Sequence, residues 1–351
     1  MIRTSLCASW AATLVCLCAC VLASSARAQT PEQFYAGRTV NLIVPFTAGG
    51  YYDTGARLMA RHLGRHIPGK PGIVVQNQPG GGGLGLANRF GAGADKDGAL
   101  IAVLQRGLPQ LTLMGDPNAR YDPLKLTWLG SLSGYRTDAY LLFVNASHPA
   151  KYATDLRKPD VKAVLGANQS GSTNYMLAVV AKEVLHLNLD IVRGFPGAND
   201  ITLAQLRGEV DGQLADHSVM TAGLGDLWRT GKVTTLVQFA RTTRLPELPA
   251  VPLARELVLD PSDTALIDFA ELPFYTALPL AAPAGVPADR AAALKAAFVA
   301  MGNDPAFHQD AKVMNTVVDP VDGDTVLGLI AKAAQTPKHV VARYKALVSA
   351  N

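Results

Sequence analysis

Cysteine is confined to the first 20 residues of this 351-residue chain, at Cys7, Cys16, Cys18 and Cys20. The remainder therefore offers no disulfide, no thiolate zinc site and no cysteine nucleophile. Beyond residue 28 no run approaches the about 18 unbroken apolar residues needed to cross a bilayer. An excess of one charge is missing too: 32 Lys and Arg stand against 28 Asp and Glu. No basic cluster interleaved with aromatics marks a nucleic-acid footprint. Also absent are a G-x-x-x-x-G-K-[ST] phosphate loop, an H-E-x-x-H helix, a G-x-S-x-G elbow and any internal repeat. Together these absences favour binding over catalysis.

The first 28 residues stand apart from the rest. Arg3 precedes an apolar stretch from Ala8 to Ala23, and the segment closes on Ala26-Arg27-Ala28. This is the pattern of a secretory signal peptide cut after Ala28, so the remainder is expected to be exported. Cys20, following Leu17-Cys18-Ala19, offers lipidation as an alternative. Without Arg3 and Arg27 the balance is 30 basic against 28 acidic residues. About 320 residues then remain, more than one core usually holds, which predicts two domains.

Short β-branched runs ended by Pro or Gly alternate with helical spacing along the chain. VNLIV (40–44), GIVVQN (72–77), ALIAVL (99–104), YLLFVN (140–145), VKAVLG (161–166), LDIVRGF (189–195) and VTTLVQF (233–239) read as strands. Ala56, Met59, Ala60, Leu63 and Ile67 recur at helical spacing, LANRFGAG is helix-like, and NYMLAVVAKEVLHL (174–187) gives another helix. DITLAQLRGEVDGQL (200–214) repeats the alternation. ADRAAALKAAFVAMG (288–302), ended by glycine, and DTVLGLIAKAAQ (324–335), behind an aspartate cap, close the chain with helices. The fold class predicted is α/β with largely parallel sheets.

Three loops join strand ends to helix starts. Thr47-Ala48-Gly49-Gly50 leads from the first strand to a helix expected to begin near Asp53, its N-cap. Ser170, Ser172 and Thr173 stand just ahead of the 174–187 helix, where hydroxyls cap and free amides suit an anion. VRGFPGANDITLA (192–204) supplies the third. Ligands of open α/β sheets collect at the carboxyl ends of strands, so the loops predict a cleft lined by backbone donors. Gly80, Gly82 and Gly85 satisfy G-x-G-x-x-G, but no acidic residue stands about 20 positions beyond, and a turn permitting close backbone approach is the expected role. His62 and His66, one helical turn apart and flanked by arginines, are read as positions on a solvated face.

Read in order, RTVNLIVPFTAGGYYDTGARLMARHL, GIVVQNQPGGGG, GFPGANDITLAQLRGEVDG, RTTRLPELPAVPLARELV and LAAPAGVPADRAAALKAAF resemble the substrate-binding proteins of tripartite tricarboxylate transporters, the Bug or TctC-like family. The resemblance runs from about residue 34 to about 345. It implies a two-lobe type II periplasmic binding protein, each lobe a mainly parallel sheet flanked by helices, with two crossing strands as hinge. Lobe one would take residues 30–131 and 265–351, and lobe two 132–264, with crossings near TWLGSLSGYRTDAYL and FYTALPLAAPAG.

The same resemblance implies ligand contacts from Phe46, Thr47, Ala48, Gly49, Gly50 and Asp53 in lobe one, with Asn77 on the near side and Arg106 at the mouth. Lobe two would add Ser170, Ser172, Thr173, Phe195, Pro196, Gly197, Asn199 and Asp216. Tyr51 and Tyr52 depart from the family pattern, in which glycine, proline or serine and a small polar residue usually stand there. One ring is expected to face the solute and stack on a flat acid, the other to pack beneath the helix.

The expectation is an exported receptor that captures a small organic acid and delivers it to membrane transporter subunits. It would act as a monomer, without cofactor, metal or nucleic acid. A periplasmic sensor feeding a signalling partner would share this fold, since fold does not settle function. An exported hydrolase would need a nucleophile or metal set, and none is visible.

Overall fold

The computed structural model describes residues 29–168, 172–195, 197–218, 225–314 and 316–349. The expected signal peptide, Ser170 and Pro196 lie outside the described residues, as does the side chain of Asn199.

Two sheets divide the strands. The first opens with β1 (Thr39–Val44), β2 (Gly72–Asn77), β3 (Leu100–Val103) and β4 (Thr127–Ser131). The second holds β5 (Tyr140–Asn145), β6 (Ala163–Gly166), β7 (Leu189–Val192), β8 (Gly212–Asp216) and β9 (Val233–Phe239). The chain then returns, adding β10 (Pro279–Ala282) and β11 (Val321–Asp322) to the first. Strand orders are β11-β4-β10-β3-β1-β2 and β7-β6-β8-β5-β9. YLLFVN is apolar on both faces because β5 lies inside its sheet and is buried along nearly its whole length.

Each sheet is mixed. β1 runs parallel to β2 and β3, and β6 runs parallel to β7 and β8, as the strand-helix-strand alternation predicts. β10, however, lies antiparallel between β3 and β4, and β5 is antiparallel to β8 and β9. Both β5 and β10 enter their sheets from the other one. A strand arriving by such a crossing is free of the direction that a βαβ connection imposes.

The helices are α1 (Pro31–Tyr35), α2 (Tyr51–Leu63), α3 (Leu84–Gly91), α4 (Leu108–Leu113), α5 (Thr173–Glu183), α6 (Ala198–Leu206), α7 (Gly225–Arg229), α8 (Thr264–Tyr275), α9 (Ala288–Gly302), α10 (Pro305–Val313), α11 (Gly323–Ala334) and α12 (Lys338–Ser349). Asp322 caps α11 by accepting from the Thr325 amide. Gly302 is the last residue of α9 and Asn303 its C-cap, so the expected glycine stop falls one residue early. No helix among the described residues is long and apolar enough to cross a membrane.

Val40, Leu42 and Val44 of β1 pack with Ala56, Met59 and Leu63 of α2 and with Phe298 of α9. Around the second sheet, Leu142, Val144, Leu165 and Val237 pack with Leu177 and Val180 of α5. Ile267, Phe269 and Phe274 of α8 and Tyr344 of α12 join this second cluster, Tyr344 meeting Phe269 edge-on at 5.3 Å. Residues beyond 264 thus supply part of the second sheet's core. His62 and His66 correct the solvated-face reading: His62 is buried, and the two meet Asp310 at 2.9 Å and Asp304 at 3.1 Å, docking α2 on α10. Paired carboxylates on the facing helix turn a basic stripe into a contact.

Candidate functional site

The loop after β1 is built around a buried carboxylate. Asp53 is 2% exposed, and its Oδ2 accepts from the Gly49 amide at 2.7 Å and from Arg57 Nε at 2.9 Å. Asn77 donates to Asp53 Oδ1 at 2.8 Å and to the Phe46 carbonyl at 3.0 Å, while its own Oδ1 accepts from Arg57. Burial raises the Asp53 pKa, but the bonds from Arg57, Gly49 and Asn77 outweigh it and hold the carboxyl below its ordinary value. α2 starts at Tyr51 with Gly50 as N-cap, so the expectation that Asp53 is the N-cap is corrected. Asp53 sits a turn inside the helix and reaches back to fix the loop. Gly49 takes φ +85°, a left-handed turn that favours glycine.

Thr47, Ala48, Gly49 and Gly50 are exposed. The Gly49 amide is taken by Asp53, while those of Thr47, Ala48 and Gly50 find no acceptor among the described residues. Gly83 lets the next turn come close beneath, since a Cβ there would lie 2.8 Å from the Pro45 ring. The close approach falls on Gly83, not on Gly80, Gly82 or Gly85, where a Cβ would meet nothing within 4 Å.

The two tyrosines separate. Tyr52 stacks on Phe46, centroids 4.5 Å apart, and its hydroxyl accepts from the Arg106 amide at 3.2 Å. Tyr51 meets Tyr52 edge-on at 5.5 Å and stays 51% exposed. Tyr51 is therefore the ring that faces open space.

The second sheet repeats the bracing. Asn168 donates to the Phe195 carbonyl at 2.8 Å and accepts from Asn174 at 2.8 Å, tying the loop after β6 to the loop after β7. Ser172 is the N-cap of α5 by position, but its hydroxyl donates to Asn174 at 2.7 Å instead of capping. Phe195 and Val164 pack against the cluster of Ile201, Ala204 and Val210. Gly197 is the N-cap of α6, which Asn199 continues.

Arg106 joins the two halves. It follows β3 in the first sheet, and its guanidinium donates to Thr173 Oγ1, at the start of α5, at 3.2 Å. It also lies over the Phe274 ring, 4.5 Å from the centroid. Burial pulls its pKa down, and Tyr52, Asp216, Tyr51 and Tyr140 together outweigh that, so it stays charged. Asp216, at the end of β8, is pushed above the usual carboxylate range by burial, against the pull of Arg106. Strand ends, helix starts, one cation and several rings thus converge between the sheets. Among the described residues no cluster suited to a metal ion occurs.

Comparison with solved structures matches the fold over most of the chain. A TctC solute-binding protein from Polaromonas, solved without ligand, superposes with a TM-score of 0.68 at 21% identity, covering 90% of this chain and 100% of the other. The chain has the TctC/Bug solute-binding fold. MatC of Rhodopseudomonas palustris with bound malate aligns at TM-score 0.54 and 24% identity, covering 89% and 99%. A second R. palustris protein, solved with adipate, aligns at 0.56 and 20%, covering 89% and 97%. A curated relative, a UPF0065 protein in the gbd 5′ region of Cupriavidus necator, is 32% identical over 125 residues, 35% of this chain. That alignment spans 36% of the curated relative's length. No protein-family model matches.

Within the TctC/Bug fold, most of the described residues named from sequence fall into two groups. Thr47, Ala48, Gly50 and Tyr51 are exposed where β1 leads into α2, and Arg106, Thr173 and Asp216 are partly buried at strand ends and a helix start. Asp53, Asn77, Gly49, Ser172, Phe46, Tyr52 and Phe195 hold the walls, their polar groups or rings engaged within the protein. Arg57, Asn168, Asn174, Tyr140 and Phe274 were not anticipated. Arg57 is legible as the i+4 partner of Asp53, and Asn168 and Asn174 as the flanks of the serine-rich loop. Tyr140 and Phe274 reach the site from distant segments and carry no local signal.

Proposed function

We propose that this protein is an exported periplasmic receptor that captures a small organic acid between two lobes and delivers it to the membrane subunits of a tripartite tricarboxylate-type transporter. The lobes would comprise residues 30–131 with 265–351, and 132–264, the protein acting as a monomer. The observation that carries the reading is Arg106, a guanidinium reaching from the first sheet to Thr173 on the second with no carboxylate of the described residues ion-paired to it. A cation held between the two sheets of this fold, at the start of a helix, is suited to a carboxylate. Malate and adipate in two structures of the same fold agree with that chemistry. Capture requires no covalent step, and closure about hinges belongs to periplasmic binding proteins as a class.

Calorimetric titration against mono-, di- and tricarboxylates and aromatic acids tests the proposal. Saturable binding of at least one acid, weakened about tenfold or more in Arg106→Met, is the expected result. Hydrolytic turnover of an ester or amide without saturable acid binding would overturn it.

A further inference from the structure

The crevice holds a second charge that a receptor for a plain acid does not require. Asp216 ends β8 in register with Tyr140 of β5. The Tyr140 ring meets Phe274 at 4.9 Å, and Phe274 carries the Arg106 guanidinium on its face at 4.5 Å. Two rings therefore connect the acid to the base along one wall. Arg106 acts on Asp216 through space, with no ion pair between them. Among the described residues, the donor turned to the Asp216 carboxylate is its own backbone amide.

A partly buried carboxylate without a cationic donor carries a desolvation cost that a suitable partner can offset. A second ligand carboxylate would add repulsion there, and an alkyl end would leave the group as it is. An ammonium would bring both opposite charge and N–H donors.

We propose that the solute is an aminocarboxylate, its carboxylate received by Arg106 and the amides after β1 and its ammonium by Asp216. The inference rests on the acid-receptor reading and narrows its ligand class. The pair Arg106 and Asp216 is neutral overall, as a zwitterion is. Tyr51, exposed on the first-sheet side and acted on by both charges, would cover the ligand's body.

Calorimetry at about pH 7.5 with length-matched probes decides the matter. One set is propanoate, alanine, 3-aminopropanoate and malonate; the other is hexanoate, 6-aminohexanoate and adipate. An amino member should bind at least about tenfold tighter than the plain acid and the diacid of its length, and Asp216→Asn should abolish that preference. A diacid or plain acid binding best at both lengths overturns the proposal, as does an amine preference that survives in Asp216→Asn. The wild-type series is decisive by itself if the variant fails to fold. Plain acids binding as well as their amino partners sinks this inference alone, whereas no saturable binding by any carboxylate sinks the receptor reading and this one with it.

Discussion

Asp53 shows how a single residue shapes a binding loop without touching a ligand. Its carboxylate gathers Gly49, Arg57 and Asn77, so replacing it leaves donors in a buried place unsatisfied. Asp53→Asn should destabilise the protein by about 2 kcal/mol at neutral pH. Because the folded pKa is depressed, the contribution is fully present above about pH 4 and disappears as pH falls through the folded value. Thermal unfolding of both proteins across pH should therefore show a gap that narrows in acid; a gap constant with pH would mean the carboxylate's charge is not the cause. The tyrosines give a second contrast. Tyr52→Ala removes a stacked ring and the acceptor of the Arg106 amide, and should cost about 2 kcal/mol. Tyr51→Ala should leave the melting temperature nearly unchanged but weaken a flat ligand about three- to tenfold, the effect of one lost ring contact of about 0.5–1.5 kcal/mol. Equal affinity in both proteins would remove the stacking role.

At the scale of elements, the site depends on strand ends being held at fixed spacing. β8 carries Asp216 and pairs with β5, which carries Tyr140, and Gly212 begins β8 opposite Val144. A Cβ at Gly212 would lie 2.1 Å from the Phe143 carbonyl oxygen, a backbone atom that cannot swing aside. Gly212→Ala should cost at least about 3 kcal/mol and disturb the β5–β8 pairing, visible as a lowered melting temperature and faster amide exchange in both strands. A variant as stable as wild type would show that the strands separate readily there. Legibility follows the same scale. GIVVQN, YLLFVN and VTTLVQF match their strands residue for residue because apolar β-branched runs bounded by breakers are local signals. The site was legible where a loop bridges strand to helix, as at Thr47–Gly50. It was not legible where a group's role depends on what folds over it: nothing near Asp53 in sequence announces that Asn77 will claim its second oxygen, and nothing near Phe274 announces Arg106. The antiparallel setting of β10 is hidden for the same reason, since direction is decided by a crossing, not by composition.

At the scale of the whole molecule, the proposed capture would bring the two sheets together about the segments that cross between them. Arg241 ties two of those segments together. It is buried, and its Nη1 donates to the carbonyls of Tyr135, Arg136 and Asp138 at 3.3, 2.9 and 2.7 Å, while Nε donates to Thr243 at 2.7 Å. One guanidinium thus fixes the segment leaving β4 to the segment leaving β9, next to Tyr135 and Ala240, both with positive φ. Burial lowers its pKa, yet the four carbonyls repay the charge with good acceptors. Arg241→Ala would free the crossing to sample more arrangements, and affinity falls by the fraction of molecules that remain competent. Small-angle scattering should show wild type contracting when saturated with its acid, and a rise in stability of about 2.7 kcal/mol at a ligand concentration 100 times Kd. The variant should still contract at saturation but need more ligand to do so, and its unliganded scattering should indicate a broader spread of shapes. Identical titration curves for the two proteins would show that Arg241 supports the fold without governing closure, and the absence of contraction in wild type would show that the acid is captured in a crevice already closed.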